Sequence, residues 1–105
     1  MAQIIWTEPA LIDLNEIAEY IAFDKPSAAG KLVAEVFKTV KRLKQFPKSG
    51  KRPPELEDSE YLEIIVGPCR IFYRIDKNNI YLLYVMRSER KLRLYILEDR
   101  TSQNS

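Results

Sequence analysis

The spacing of apolar positions changes character several times along this chain. Gln3–Trp6 reads as a short strand. Leu11, Leu14, Ile17, Ala18 and Ile21 then recur at steps of three and four, the stripe of an amphipathic helix with Asp13, Glu16 and Glu19 on its exposed side. Thr7-Glu8-Pro9-Ala10 supplies the start of that helix, a capping side chain followed by proline in the first turn, where its missing N–H costs nothing. The helix is predicted to end near Phe23. Asp24-Lys25-Pro26 is a second start signal. From there Leu32, Val33, Val36, Phe37, Val40, Leu43 and Phe46 form one stripe that Pro47 stops. A connection this short predicts an antiparallel helical hairpin.

Residues 48–58, rich in proline and charge, read as a surface loop. Three runs rich in β-branched and aromatic residues follow, at 61–66, 70–76 and 80–87, punctuated by Gly67-Pro68 and by Lys77-Asn78-Asn79, which predicts an antiparallel meander. Alternation puts Arg70, Phe72 and Arg74 on one face of the central run and Ile71, Tyr73 and Ile75 on the other. On the last run it groups Arg87 with Tyr81, Leu83 and Val85. Beyond Arg87, Leu92, Tyr95 and Ile96 fit a helix while Leu92, Leu94 and Ile96 fit a strand, so both remain open; residues 101–105 are expected to fray. The expected fold is α+β, ordered β-α-α-β-β-β. It has an N-terminal strand and a helical hairpin packed on one face of a mostly antiparallel four-stranded sheet, in a single domain over residues 1–100. One hairpin covers one face, so the other is expected to be solvated or reserved for a partner.

Composition narrows the chemistry. Among 105 residues there is one cysteine and no histidine, which removes an intrachain disulfide, Ser–His and Cys–His nucleophile pairs, and the commonest metal ligand. No metal or cofactor is expected, and Cys69 reads as a small buried hydrophobe. No apolar run approaches the roughly 18 residues of a membrane span. The opening residues enter a strand pattern directly, without a basic segment and a long apolar stretch, so a cytoplasmic protein with no membrane association is expected.

The net charge of +2 is unevenly spread. Residues 1–24 carry five acids and no base, leaving 17 bases against 10 acids in the remainder. Lys41, Arg42, Lys44, Lys48, Lys51 and Arg52 run without an intervening acid, and Arg87, Arg90, Lys91 and Arg93 enclose only Glu89. Such asymmetry suits an acidic partner or nucleic acid, or a merely solvated face. Arg70 and Arg74 share a strand face, and with Arg87 beside aromatics they are candidates for an anion site, because a guanidinium fork matches phosphate and carboxylate. Arg90, Lys51 and Arg52 extend the candidate binding set. The bland alternative has the strand arginines at sheet edges, paired with Glu63 or Asp76. The acidic run Glu55, Glu57, Asp58, Glu60 and Glu63 places no two carboxylates on one rigid element beside a cleft, so acid–base catalysis is not read from it. There is no glycine-rich phosphate loop.

Five ordered signatures carry a resemblance over about residues 4–97. They are Trp6-Thr7-Glu8-Pro9-Ala10-Leu11-Ile12-Asp13-Leu14 with Ile17-Ala18-Glu19-Tyr20-Ile21, Leu43-Lys44-Gln45-Phe46-Pro47-Lys48-Ser49-Gly50-Lys51-Arg52, Tyr61-Leu62-Glu63-Ile64-Ile65-Val66, Cys69-Arg70-Ile71-Phe72-Tyr73-Arg74-Ile75-Asp76, and Val85-Met86-Arg87. In these the chain resembles the RelE/ParE toxins of type II toxin–antitoxin systems, closer to the ParE-like branch. The resemblance implies a growth-arresting toxin silenced by a cognate antitoxin in a hetero-oligomer, and so a plasmid- or chromosome-stabilising role. RelE-like members cut messenger RNA on the ribosome; ParE-like members poison DNA gyrase. In a RelE-like nuclease, Arg70 would match the central-strand arginine, Arg87 the later one and Tyr95 the C-terminal tyrosine. Two departures weigh against that branch. Leu62 and Ile64 stand where RelE-like enzymes carry lysines, and no histidine exists to move a proton, a role that arginines with pKa above about 12 fill badly. The expectation is therefore a gyrase-binding toxin, with a ribosome-dependent endoribonuclease and an inactive binding module as alternatives.

Overall fold

Thr7 starts the first helix in the way its hydroxyl suggests. In the computed structural model, which describes residues 2–103, Thr7 is extended (φ −71°, ψ 152°), and its Oγ1 accepts from the Ala10 amide at 3.4 Å while donating to the Leu82 carbonyl at 2.7 Å. One side chain thus caps helix α1 (Glu8–Asp24) and ties it to a distant strand. At the far end Lys25 closes α1 and opens α2 (Pro26–Lys41): its amide donates to the Ile21 carbonyl at 2.8 Å, and its own carbonyl accepts from Ala28 at 3.0 Å. The second stripe does not stay α-helical to Phe46. After Lys41 the chain tightens into a 3₁₀ turn, Arg42–Lys44, and the Gln45 and Phe46 amides both return to the Arg42 carbonyl. The tighter winding keeps Leu43 buried but turns Phe46 out, 63% exposed.

The sheet has order β1-β4-β3-β2, with β1 (Gln3–Trp6) parallel to β4 (Asn79–Arg87), and β4, β3 (Cys69–Asp76) and β2 (Leu62–Val66) antiparallel. This is the expected α+β arrangement. The β3–β4 turn is tighter than the three residues expected. Asp76 pairs with Asn79, and Lys77 takes the left-handed φ of 57°. Ala10, Leu14, Leu32, Val36, Val40 and Leu43 of the hairpin side pack on Val66, Ile71, Tyr73, Ile80, Leu82 and Val85 of the sheet. The loop after the hairpin is pinned from beneath: Tyr73 Oη donates to the Pro47 carbonyl (2.8 Å) and accepts from the Gly50 amide (2.9 Å). Gly50 is obligatory there, because a Cβ would lie 2.8 Å from the Glu63 carbonyl oxygen.

The second sheet face is not open. Residues 91–97, ambiguous by pattern, lead into helix α3 (Leu94–Gln103), which lays Leu97 on Phe72, Leu83, Tyr84 and Met86 in a second core, with Leu56 and Tyr61 at its margin. The expected fraying from residue 101 is likewise corrected. The α3 helix runs to Gln103, and the Thr101 hydroxyl is hydrogen-bonded to Tyr61 Oη at 2.7 Å and donates to the Leu97 carbonyl. Residues 104 and 105 lie outside the described residues.

Alternation holds along β3 but breaks in β4. Phe72 pairs with Tyr84 and Tyr73 with Leu82, so Leu83 is an extra residue, a β-bulge. Leu83 and Tyr84 both enter the second core, whereas Ile80, Leu82 and Val85 belong to the first. The parity of β4 flips at that point. Arg87, two residues past Val85 and paired with Cys69 of the first core, therefore faces the helical hairpin rather than sharing the face of Tyr81 and Leu83.

The bulge also lies where β1 ends, since the β1–β4 ladder stops at Trp6 and Leu82. Beyond it, side chains take the place of a strand. Asp13 of α1 accepts from the Val85 amide at 3.0 Å, and Arg100 of α3 donates to the Leu83 carbonyl at 3.1 Å. The two are themselves joined twice, Arg100 Nη1 to Asp13 Oδ2 and Nη2 to Oδ1, both side chains being mostly buried. Asp13 is thus a structural residue and not part of the solvated stripe expected for it. Asp13→Ala is expected to cost about 3 kcal/mol in urea-induced unfolding, because it strands a guanidinium and an amide. Glu16→Ala, on the same helix, is expected to stay within about 0.5 kcal/mol.

Candidate functional site

The two layers divide the candidate cations between two environments. Arg70 lies on the α3 side of the sheet. Its Nη1 and Nη2 donate to the two Glu55 oxygens at 2.8 Å each, and Nη2 and Nε donate to Glu63 at 2.7 and 3.3 Å. The guanidinium also lies over the Phe72 ring, 4.9 Å from its centre. Glu63 is buried and Glu55 reaches over from the 3₁₀ turn Pro54–Leu56, so a cross-strand acid and a loop acid enclose the fork. The Arg70 hydrogen bonds hold the Glu55 carboxyl down to about 2, against an ordinary 4.5, and the same bonds, from Glu55 first and then Glu63, raise the guanidinium pKa. Both bidentate forks of the guanidinium, Nη1 with Nη2 and Nη2 with Nε, are taken by carboxylates of the chain itself.

Arg74, buried on the same face, sits over Tyr81 at 5.5 Å with Glu60 at 3.7 Å and Asp76 at 4.0 Å. Arg52 spends its Nη1 on the Glu57 and Ser59 carbonyls, fixing the loop, and Lys51 pairs by its backbone with Glu63. These four are tied into the fold, by side chain or, for Lys51, by backbone.

Arg87 is in the other environment. Its guanidinium stacks over Tyr20 of α1, 4.2 Å from the ring centre, with Glu89 at 3.1 Å. It opens onto a cleft of about 550 Å³, lined on one side by Asp13, Glu16 and Tyr20 and on the other by Arg87, Arg90, Lys91 and Arg93. Arg93 is held near Tyr84 and Tyr95; hydrogen bonding to Tyr84, foremost, raises its pKa. Tyr95 itself, on the first turn of α3, is 66% exposed. The trio Arg70, Arg87 and Tyr95 does not converge: Arg70 is enclosed on one face and Arg87 opens on the other. Only Arg87 and Arg90 of the sequence-derived set meet in a cleft. Lys91, Arg93 and Tyr20 join them there, and only the clustering of residues 87–93 hinted at two of these.

Burial pushes the Cys69 thiol up, which keeps it protonated and inert. Among the described residues no group of three or more Cys, Asp or Glu is placed to hold a metal ion, and no helix is long and apolar enough to cross a membrane. The cleft sets a cationic wall, Arg87, Arg90, Lys91 and Arg93, opposite one that carries Asp13, Glu16 and Tyr20. None of its side chains is a histidine, and of the acids that line it Asp13 is committed to Arg100 and the Val85 amide.

The family model described as "ParE toxin of type II toxin-antitoxin system, parDE" matches residues 4–92. A Sinorhizobium fredii protein named "Putative toxin Y4kP" is 36% identical over 89 residues, spanning 85% of this chain and 91% of that protein. "Toxin RelE2" of Caulobacter vibrioides is 26% identical, over 86% and 99% of the two chains. Among solved structures, a chain of the chromosomal ParDE system from P. aeruginosa superposes with a TM-score of 0.72 at 26% identity, covering 85% of this chain and 98% of that one. A chain of the toxin–antitoxin complex RelBE2 from Mycobacterium tuberculosis shares the fold, with a TM-score of 0.54 at 22% identity over 82% and 96%.

The Arg70–Glu55 pair has a measurable signature. Because the folded Glu55 carboxyl sits at about 2 and its ordinary value is 4.5, the stabilisation is complete above pH 4.5 and is lost as the pH falls toward 2. Glu55→Gln is expected to flatten the stability-versus-pH curve in that window. At neutral pH it should cost no more than about 1 kcal/mol, since Glu55 is 42% exposed and water screens the pair. Urea unfolding of both proteins across that pH range measures both effects.

Proposed function

The chain belongs to the ParE toxin family of type II toxin–antitoxin systems, and from that premise we propose that it arrests growth by holding DNA gyrase rather than by cutting message. The observation that carries this reading is the enclosure of Arg70 between Glu55 and Glu63 on the face opposite Arg87. Cleaving RNA demands a base for the 2′-hydroxyl, an acid for the leaving oxygen and cations at the developing charge, all within one site. Here the central-strand arginine is neutralised by its own chain, and Leu62 and Ile64 occupy the strand positions that lysines would need. A gripping surface demands less. Arg87 stacked on Tyr20, with Arg90, Lys91 and Arg93 around it, supplies cationic and aromatic contacts of the type that dominate protein interfaces. In this reading a cognate antitoxin holds the toxin silent in the cytoplasm as a hetero-oligomer, and loss of the antitoxin releases it, which stabilises the replicon that encodes both.

The purified protein is expected to inhibit supercoiling by gyrase and to leave ribosome-bound message intact in a translation extract read by primer extension. Codon-positioned cuts would instead establish the nuclease reading, and absence of growth arrest on induction without antitoxin would leave an inactive binding module. Arg87→Ala is expected to weaken gyrase inhibition about tenfold, the effect of losing one central interface arginine. An unchanged inhibition curve would move the contact surface away from the cleft.

A further inference from the structure

β1 stops at Trp6 opposite Leu82, while β4 continues to Arg87, so the last part of β4 is a sheet edge that opens into the cleft. Pairing decides which backbone groups face that way. Glu63 spends its N–H and C=O on Lys51, so Phe72 opposite it turns its own pair away from β2 and toward Tyr84. Alternation then sends the N–H and C=O of Val85, and those of Arg87, outward into the cleft. The chain uses two of these four groups. The Val85 amide donates to Asp13 at 3.0 Å, and the Arg87 carbonyl accepts from the Arg90 amide at 3.0 Å. The Val85 carbonyl and the Arg87 amide meet no hydrogen-bond partner among the described residues.

An acceptor and a donor two residues apart on one edge suit a planar group lying in the plane of the sheet. Strand addition by a peptide is disfavoured, because the edge offers one such pair before the chain turns at Arg87–Arg90. A purine needs one pair only: adenine N6–H and N1, or guanine N1–H and O6, complement it. The walls suit a base as well. Ile17 and Tyr20 stand on the hairpin side of the sheet plane, and Tyr84 belongs to the core on the α3 side. Tyr20 already carries the Arg87 guanidinium 4.2 Å from its ring centre, and bases stack on aromatic rings and guanidinium planes alike.

The rest of the cleft is bipolar. Arg90 and Lys91 are exposed and, among the described residues, form no ion pair, and the turn that carries them is tied down by the Ser88 amide donating to the Pro68 carbonyl at 2.7 Å. Across from them Glu16 offers a carboxylate. A polyanionic duplex or an acidic protein surface would be repelled by Glu16 and by Glu89. A compact ligand that is anionic at one end and carries hydroxyl donors in its middle meets both walls. The volume, about 550 Å³, lies within the roughly 300–1,000 Å³ of small-molecule sites.

We propose that this cleft is a binding site for a purine nucleoside di- or triphosphate. The base pairs with the Val85 carbonyl and the Arg87 amide, a ribose hydroxyl donates to Glu16, and the phosphates lie against Arg90, Lys91 and Arg93. The chain has no glycine-rich phosphate loop, so side chains take the role that backbone amides have in such loops. The proposal uses the same cleft as the gyrase reading but does not depend on gyrase as the target.

Two measurements on the full chain test it. In the first, isotopically labelled protein is titrated separately with ADP, GDP, adenosine, inorganic pyrophosphate, a short DNA duplex and a polyglutamate peptide. ADP or GDP is expected to saturate with a Kd below about 1 mM, to shift the Arg87 amide and to slow its hydrogen exchange. The tighter of the two identifies the base. Adenosine and pyrophosphate are each expected to bind about tenfold more weakly than the better nucleotide, since each keeps half of the contacts. Absence of saturable nucleotide binding overturns the proposal. Pyrophosphate, duplex or polyglutamate binding as tightly as the nucleotide also overturns it, because the cleft is then a cationic surface without a base site. In the second, the double variant Arg90→Ala, Lys91→Ala is expected to weaken nucleotide binding about tenfold and to leave the adenosine shifts unchanged, while Lys38→Ala, exposed on α2, alters neither. Tyr20→Ala is expected to weaken both nucleotide and adenosine about tenfold, the effect of losing one stacking ring, and Tyr20→Phe to restore them. Undiminished nucleotide affinity in the double variant overturns the proposal. Nucleotide binding is read on the toxin alone, so a failure to inhibit gyrase leaves these outcomes intact and a failure here leaves the gyrase reading intact.

Discussion

Asp13 and Arg100 hold this fold together at the place where its sheet would otherwise come apart. The parallel ladder from β1 runs out at Leu82, and one residue later the bulge at Leu83 reorients the backbone of β4. An amide and a carbonyl left there without a strand would each cost on the order of 1–3 kcal/mol if buried unpaired. A carboxylate from the hairpin layer and a guanidinium from the C-terminal helix meet those two groups and each other. A largely buried ion pair is by itself weak evidence of stability, because desolvation offsets attraction. This one differs in that both partners also close backbone valences, so replacing the pair with apolar residues would leave the edge unsatisfied. It is also a direct polar link between the layers on the two sheet faces, beside the packing of Leu97.

The same bulge decides which chemistry is available. Had β4 kept strict alternation, Arg87 would have faced the α3 side with Arg70, and two guanidiniums on one face beside Tyr81 would have made a credible phosphate site. The extra residue rotates everything after it, and Arg87 comes to rest on Tyr20 instead. A one-residue irregularity in a strand thus separates a constellation that a nuclease would need together. Arg70, left behind, is neutralised by Glu63 across the strand pair and Glu55 from the loop, which converts a candidate ligand-binding group into a clasp for residues 53–63.

Features set by local rules were legible in the sequence. Thr7 and Pro9, then Lys25 and Pro26, mark helix starts because capping and proline geometry act within a turn. The faces of β3 follow from its alternation, which nothing interrupts. Even the enclosure of Arg70 was partly visible, since pairing with Glu63 was the bland alternative to an anion site, and the structure realises it with Glu55 added. The bulge was not legible: Leu83 and Tyr84 are ordinary strand residues, and only the pairing register against Phe72 and Tyr73 exposes the extra one. Nor was the C-terminal cover. Helix α3 buries Leu97 alone, so it presents too narrow a stripe for periodicity to detect, and its position depends on Arg100 reaching Asp13, 87 residues away in sequence.

Charge asymmetry, the first functional hint in the chain, acquires meaning only after the fold's own consumption of charge is subtracted. Arg52, Arg70, Arg74 and Arg100 all hold loops, strands or helices in place, and each is met by carboxylates or carbonyls of the same chain. Of the thirteen cations that remain, six fall in two groups, and the other seven, Lys25, Lys31, Lys38, Arg42, Lys48, Lys51 and Lys77, are exposed elsewhere. One group, Arg87 to Arg93, lines the cleft between α1 and the segment entering α3; another, Lys41 and Lys44, flanks the open edge of β1. The lining residues of the two have no member in common, and the hairpin lies between them.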